Sequence, residues 1–144
     1  MKKIIFLIPI VLFFSCSSIA QNPQKMEKQI KKTVKGYIQA GDDNDAKALD
    51  NYLQENFRVA LYDQKEDIIK ILDKKTYRTL IENKTFGGYP RSANFHSIEM
   101  IGENMATVQV TLTSPGKPTL KNFYSLAKTG KDWFVVQDFV TMIP

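Results

Sequence analysis

The last third of the chain contains four strand-length segments with short turns between them, and this pattern constrains the fold more than any other feature. In residues 92–101, 105–114, 119–128 and 132–142, apolar and polar side chains alternate, as they do in half-buried strands. The connecting sequences are Gly-Glu-Asn, Pro-Gly-Lys-Pro and Thr-Gly-Lys, and each suits an antiparallel hairpin. The pattern predicts a four-stranded meander at the end of the chain.

The region before the meander begins with helical periodicity. Apolar residues recur on one side from Met26 to Ile38, which predicts a helix that Gly41 ends. The acidic run at residues 42–45 is typical of a helix N-cap. It predicts a second helix whose buried stripe is formed by Ala46, Leu49, Tyr52 and Leu53.

Two short strands and a third helix follow. The period changes to two at residues 57–62, and residues 68–72 form a second apolar segment of strand length. Asp73 is placed to cap a third helix, which the Gly87-Gly88 pair closes. The order α-α-β-β-α-β-β-β-β predicts an α+β domain, in which three N-terminal helices pack on the concave face of a curved, mostly antiparallel six-stranded sheet.

Two stretches of the chain resemble a known family. The sequence ILDKKTY at 71–77, followed by LIENK at 80–84 and Gly87-Gly88, resembles the putative lumazine-binding family of the nuclear transport factor 2-like superfamily. The run FYSLAKTGKDW at 123–133 resembles the last hairpin of that family, in which a tryptophan opens the final strand. The superfamily contains isomerases, polyketide cyclases, dehydratases and binding modules on one scaffold. The resemblance therefore implies the fold and leaves the activity open.

The sequence departs from that family at the end of the second helix. Many such proteins carry a His-Pro pair just before the first strand, where this chain has Leu53-Gln54-Glu55-Asn56. The departure removes one candidate for acid–base chemistry.

The beginning of the chain has the layout of a bacterial export signal. Two lysines precede an apolar run at residues 4–14, which is too short to span a bilayer, and a patch of small residues follows. We therefore expect residues 1–20 to be a signal peptide and residues 21–144 to be the exported domain. Two outcomes remain open. Cleavage after Ala20 gives a periplasmic or secreted protein, whereas lipid attachment at Cys16, in the lipobox-like sequence FFSC, gives a membrane tether.

Composition excludes several kinds of site from the exported domain. The one cysteine of the chain is Cys16 and the one histidine is His96, which excludes an internal disulfide, thiol chemistry and a zinc site made of His and Cys. We expect no cofactor and no metal, since the sequence also lacks a calcium-loop motif. The lysines of the first helix lie on its polar side without arginine or aromatic residues between them, which argues against nucleic acid as a partner.

In the cone-shaped fold that the resemblance implies, a ligand cavity lies between the helices and the sheet. Alternation along the strands suggests which polar side chains enter it, although a register error of one residue would turn each of them outward. We favour the face of Trp133 as the inward face of the last strand and expect His96 to be buried. The pocket candidates are Tyr37, His96, Asn122, Tyr124 and Gln137.

Three functions remain open. The favoured one, since no acid–base pair is evident, is an exported accessory or binding domain for a small apolar or aromatic ligand, with a homodimer as a further possibility. The second is an isomerase, cyclase or dehydratase that uses His96 or Asp138, with the hydroxyls of Tyr37, Tyr62 or Tyr124 as oxyanion donors. The third is a protein-interaction or dimerisation module whose sheet surface carries Phe95, Phe123 and Phe134.

Overall fold

The computed structural model of the protein describes residues 22–144. The predicted export signal, its cleavage after Ala20 and the lipid attachment at Cys16 lie outside these residues. The described part of the chain contains three helices and six strands, which are α1 (Pro23–Asp42), α2 (Ala46–Leu49), β1 (Leu53–Asp63), β2 (Ile68–Asp73), α3 (Lys74–Glu82), β3 (Ser92–Ile101), β4 (Met105–Thr113), β5 (Thr119–Thr129) and β6 (Asp132–Ile143).

Helix α1 forms where its periodicity predicts it. The Asn22 side chain accepts a 3.0 Å hydrogen bond from the Gln24 amide, and Pro23 occupies the first helical position, where its missing N–H costs no hydrogen bond. The apolar stripe is buried against the sheet and includes Ile30, Val34, Tyr37 and Ile38.

Helix α2 is shorter than its sequence predicts. Asp45 caps it by accepting a 2.8 Å hydrogen bond from the Ala48 amide, but the helix ends after one turn. The carbonyl of Tyr52 accepts a 2.7 Å hydrogen bond from the Val135 amide of β6, and Leu53 begins β1. The expectation of a longer helix through Leu53 is wrong, because the backbone there forms hydrogen bonds with β6 and does not continue the helix.

Helix α3 begins at the predicted cap, since the Asp73 side chain accepts a 2.8 Å hydrogen bond from the Thr76 amide. Tyr77 and Ile81 face the interior. The segment after the helix folds back onto the end of α1, where the Gly88 amide donates a 3.1 Å hydrogen bond to the carbonyl of Gly41. The Asn44 amide also donates to the carbonyls of Ile81 and Phe86, so this loop is fastened to α1 and α2.

The six strands form one sheet in the order β2-β1-β6-β5-β4-β3. All neighbouring pairs are antiparallel except β1 and β6, which run parallel. The α+β class and the mostly antiparallel six-stranded sheet are therefore confirmed. The predicted order of helices and strands is also found, but the expected packing of three N-terminal helices is only partly matched, because α2 is a single turn.

Two irregularities in the sheet change which side chains face the helices. Strand β3 contains a bulge at His96, since Phe95 pairs with Val110 and Ser97 pairs with Gln109. Strand β6 contains a bulge at Val136, since Val135 pairs with Leu126 and Gln137 pairs with Ser125. Each extra residue reverses the alternation beyond it. We call the side of the sheet that packs on α1 and α3 the inner face and the opposite side the outer face.

Candidate functional site

A cavity of about 270 Å³ lies between the inner face of the sheet, α1, α3 and the loop that follows α3. Its walls are mostly apolar, with aliphatic side chains from β1, β4, β5 and β6. Five aromatic residues also line it, namely Tyr37, Tyr77, Phe86, Tyr89 and Tyr124. The volume is just below the range of ~300–1,000 Å³ found for small-molecule sites, so the cavity suits a small ligand of one or two rings.

The aromatic rings on the helix side form a contiguous cluster around Tyr37. The Tyr37 ring lies edge-on to Tyr124 with ring centres 5.7 Å apart, and edge-on to Phe57 at 5.8 Å. The Tyr77 ring is 6.1 Å from Tyr37 and 5.6 Å from Phe57. Edge-to-face packing, as Tyr37 makes with Tyr124 and Phe57, is favourable beyond the area it buries, so these contacts help to hold the Tyr37 ring at the cavity wall.

Asp138 is the carboxylate that faces the cavity, and it is 4% exposed. The bulge at Val136 places it on the inner face, directly across from Tyr124 on β5. Its Oδ2 accepts a 3.0 Å hydrogen bond from the Tyr37 hydroxyl, and its Oδ1 accepts a 2.9 Å hydrogen bond from the Asn122 amide. Burial raises the pKa of Asp138 to about 6, while the bonds from Asn122 and Tyr37 and the charge of Arg91 act in the opposite direction.

A second hydroxyl extends this arrangement. The hydroxyl oxygens of Tyr37 and Tyr77 are 3.1 Å apart. Tyr37 has a single hydroxyl proton, and it is directed to Asp138, so Tyr77 is left as the donor to Tyr37. Burial raises the pKa of Tyr77 to about 12 and the pKa of Tyr37 well above its usual range. Both hydroxyls therefore keep their protons at neutral pH.

Two polar atoms beside Asp138 have no hydrogen-bond partner within residues 22–144. They are the Oδ1 atom of Asn122 and the hydroxyl of Tyr124, and both are closed to solvent. Burial raises the pKa of Tyr124 well above its usual range. An unpaired buried polar group costs ~1–3 kcal/mol, so a structure built only for stability would avoid this pair.

Arg91 lies at the rim of the cavity, just before β3. Its Nε donates to Oδ1 of Asp42 in a short ion pair, and its backbone amide donates to Oδ2 of the same carboxylate at 3.0 Å. Its Nη2 donates to the carbonyl of Ile38 at 3.3 Å. Two residues of the acidic run at 42–45 therefore have different partners: Asp45 caps α2, whereas Asp42 binds Arg91.

Three of the five pocket candidates line the cavity: Tyr37, Asn122 and Tyr124. The expected inward position of Gln137 is wrong, because the bulge at Val136 moves it to the outer face with Phe139. The expected burial of His96 is also wrong. His96 is the extra residue of the β3 bulge, is exposed, and has its Nε2 2.8 Å from the Thr111 hydroxyl. Ligand binding by the three cavity residues stays a prediction.

The site also contains residues that are not among the pocket candidates predicted from the sequence. From the sequence, Asp138 is a candidate only as a base of the enzyme hypothesis, because strict alternation from Trp133 places Gln137 and not Asp138 on the inner face; the bulge reverses this. Arg91 and Tyr77 also belong to the site, and the sequence alone does not indicate either as a site residue. Tyr77 was recognisable as an inward residue of α3, but no local pattern connects Arg91 with Asp42, 49 positions earlier. Tyr62, named as an oxyanion donor, instead bonds Asp67 at 3.0 Å in an exposed position and is not part of the cavity lining.

The phenylalanine patch expected on the sheet is only partly present. Phe123 is exposed on the outer face, where its cross-strand neighbour is Phe139, with ring centres 6.5 Å apart. Phe95 packs against the core and lies under the ammonium group of Lys31, and Phe134 is half-buried. The prediction that Phe95, Phe123 and Phe134 form one exposed patch is therefore wrong. The exposed phenylalanine pair on the outer face is Phe123 and Phe139.

Among residues 22–144, no group of three or more His, Cys, Asp or Glu side chains is arranged to hold a metal ion. Within the same residues, no helix is long and apolar enough to cross a membrane.

Comparison with known structures places the fold in the nuclear transport factor 2-like class. A protein of unknown function from Shewanella baltica OS155 superposes with a TM-score of 0.74 at 16% identity, covering 85% of this chain and 98% of that chain. One from Silicibacter pomeroyi DSS-3 gives 0.71 at 13%, covering 84% and 98%. A cystatin-like fold protein from Burkholderia xenovorans LB400 gives 0.63 at 19%, covering 85% and 95%.

The family within that class follows from the sequence. The family described as "Putative lumazine-binding" matches residues 25–139, and the chain belongs to this family. The resemblance found at residues 71–88 and 123–133 is thereby confirmed. No curated protein matches the chain.

Proposed function

We propose that the protein is an exported domain that binds a small, largely aromatic ligand in the cavity beside Asp138. The observation that carries the proposal is the placement of a hydrogen-bonded Asp138–Tyr37–Asn122 cluster at the wall of an aromatic cavity. Burying a carboxylate costs several kcal/mol before its partners compensate, and an apolar residue of similar size would pack at less cost. A polar cluster in this position is therefore better explained by a ligand than by folding.

The test is a thermal-shift screen of the purified domain, residues 21–144, against small aromatic compounds. Because the family description names lumazine, a bicyclic heteroaromatic compound, lumazine is included. We expect hits that disappear in Val140→Phe, whose added ring fills the cavity, and that persist in Ile69→Phe, which adds the same ring at an exposed site. A screen without hits, or hits equally strong in Val140→Phe, would refute the proposal.

A second candidate function is an enzyme that removes a proton next to a carbonyl group, as isomerases, cyclases and dehydratases do. The observation in its favour is the pKa of about 6 for Asp138, which suits a general base near neutral pH, with the Tyr37 hydroxyl 3.0 Å away as a donor. The test is deuterium exchange of a panel of enolisable ketones in heavy water, followed by NMR. Exchange that is lost in Asp138→Asn but kept in His96→Ala would support the enzyme. Exchange unaffected by Asp138→Asn would exclude this base.

The cellular location is part of the same proposal. We propose export from a bacterial cytoplasm, with Cys16 lipidation and cleavage after Ala20 as the alternatives. Mass spectrometry of the mature N-terminus distinguishes an acylated Cys16 from a chain that starts at Gln21, and an intact Met1 would exclude both.

We further propose that a homodimer forms through the outer face. The supporting observation is an apolar surface that joins Phe123 and Phe139, which is 52% exposed, to Ile69 of β2. Light scattering after gel filtration tests it, because Phe139→Lys is expected to give monomers and Ile68→Lys, at an exposed isoleucine on the opposite side of the sheet, to leave the dimer intact. A monomer in the unsubstituted protein would refute the homodimer without affecting the cavity.

A further inference from the structure

The guanidinium group of Arg91 uses only part of its hydrogen-bonding capacity. Nε is occupied by Asp42 and Nη2 by the carbonyl of Ile38, whereas Nη1 makes no hydrogen bond with any residue from 22 to 144. The side chain is 12% exposed, so most of the guanidinium group is sheltered from bulk water. Three fixed contacts, including the one from its backbone amide to Asp42, hold this donor at the rim of the cavity. A donor held in advance loses little entropy when it binds an acceptor.

A second cation lies at the same rim. The Lys117 ammonium is 4.9 Å from the centre of the Tyr89 ring, and the Arg91 guanidinium is 6.0 Å from the same centre. Tyr89 lines the cavity, and Lys117 belongs to the turn between β4 and β5. Asp42 balances one of these two positive charges, and Lys117 has no ion pair within the described part of the chain. Counted over Arg91, Lys117 and Asp42, the rim therefore carries one net positive charge.

The hydrogen-bonding capacity of the Asp138 carboxylate is more fully used than that of the cations at the rim. Both of its oxygens already accept hydrogen bonds, from Tyr37 and Asn122. The unused capacity near the cavity is thus a cationic donor at the rim, with aromatic walls behind it. This arrangement matches a molecule with an apolar ring and one oxyanion, because Arg–carboxylate bonds are roughly twice as strong as neutral ones.

We infer that the ligand is a small aromatic carboxylate, whose ring enters the cavity and whose carboxylate oxygen accepts from Nη1 of Arg91, with Lys117 attracting it to the rim. This inference rests on the proposed binding function and names its ligand class. Arg91 is the specificity residue in this scheme, while Tyr37, Tyr77 and Tyr124 form the walls.

The test uses three compounds of one shape and different charge: benzoate, benzamide and benzamidine. Titration calorimetry on the purified domain is expected to show benzoate binding at least about tenfold more tightly than benzamide, which keeps the carbonyl and loses the charge. Equal affinities for benzoate and benzamide would overturn the inference. So would a preference for benzamidine, which would place the binding energy at Asp138.

Two substitutions test whether the affinity for benzoate arises from the cations at the rim. Arg91→Lys keeps the positive charge but replaces the planar guanidinium group, and we expect it to weaken benzoate binding about tenfold. Lys117→Met changes an exposed turn, so it tests the inference even where Arg91→Lys fails to fold. We expect a two- to threefold loss of benzoate affinity that vanishes at high salt, on the order expected for an exposed charge. The matched control is Lys121→Met on the outer face. Benzoate binding unchanged in both rim variants would overturn the inference.

The screen for the proposed function separates the two ideas. Hits that lack an acidic group, together with no binding of benzoate, leave the binding function standing and refute the carboxylate class. A screen without any hit refutes both.

Discussion

The hydroxyl of Tyr37, in the fifth turn of α1, donates a 3.0 Å hydrogen bond to Oδ2 of Asp138, which lies 101 positions later on the central strand β6. This bond connects the helix layer to the sheet through the polar part of the candidate site. It also satisfies one oxygen of a buried carboxylate, and Asn122 satisfies the other. The same residues therefore join the helix layer to the sheet and form the polar part of the cavity wall.

Removing that hydroxyl is expected to destabilise the fold measurably. In Tyr37→Phe the ring contacts with Phe57 and Tyr124 are kept, but Asp138 loses a donor and Tyr77 loses its acceptor. Hydrogen bonds to charged groups contribute ~1.5–3 kcal/mol, and we expect a loss of that size in urea unfolding at neutral pH. Tyr62→Phe, which removes an exposed hydroxyl bonded to Asp67, is the matched control and should change stability by less than ~0.5 kcal/mol. Equal effects of the two substitutions would contradict this account of Tyr37.

Stability is expected to fall as pH rises through the range in which Asp138 ionises. Its pKa is about 6 in the folded protein against an ordinary value of 3.8, so the folded state holds this proton more tightly than the unfolded chain does. The resulting stabilisation is complete below about pH 4 and is lost as pH rises through about 6. By linkage its size is on the order of 3 kcal/mol.

The variant Asp138→Asn isolates this contribution. Its side-chain oxygen still accepts from Tyr37, and a rotation of the Asn122 amide lets that residue accept from the new amide. The free energy of unfolding, measured between about pH 4 and 7, should decline in the unsubstituted protein relative to Asp138→Asn. Parallel curves would show that Asp138 titrates near its ordinary pKa in the folded state.

The sequence predicts most of the fold because its signals are local. The Asp73 cap, the stripe of α1 and the turns of the meander each depend on residues near one another, and the structure has these elements where they are expected. Helix α2 is the exception. Its apolar spacing continues to Leu53, but a backbone bond from Val135 to Tyr52 ends it. That partner is 83 positions away, beyond the reach of periodicity.

The site is less predictable because its geometry depends on single-residue bulges. One extra residue at Val136 exchanges Gln137 for Asp138 on the inner face, and one at His96 leaves that ring exposed. Alternation alone cannot locate a bulge, since both registers keep apolar residues on both faces of β6. Arg91 is unpredictable for a different reason: its place at the rim depends on the pairing with Asp42 across 49 positions.

Substitution of the histidine is expected to leave the candidate site unaffected. His96 is exposed on β3, its partner is the Thr111 hydroxyl, and it is not part of the cavity lining. We therefore expect His96→Ala to change the free energy of unfolding by less than ~0.5 kcal/mol and to preserve every ligand-induced thermal shift. A thermal shift abolished in His96→Ala would place the ligand near β3 and away from Asp138.

The loop that closes the cavity depends on a glycine in close contact with α1. Gly87 has a φ of 70°, and a Cβ atom there would overlap the carbonyl oxygen of Gly41. Gly116, in the turn between β4 and β5, has nearly the same φ of 69°, but a Cβ would meet nothing within 4 Å. Gly116→Ala therefore measures the backbone strain alone, which is of order 1–2 kcal/mol. Gly87→Ala adds a clash with backbone that separates the loop from α1, so we expect a larger loss in urea unfolding. It should also expose the Gly88 amide to hydrogen exchange, because this amide donates its hydrogen bond to the carbonyl of Gly41. Equal losses in the two variants would show that the loop does not depend on the contact with Gly41.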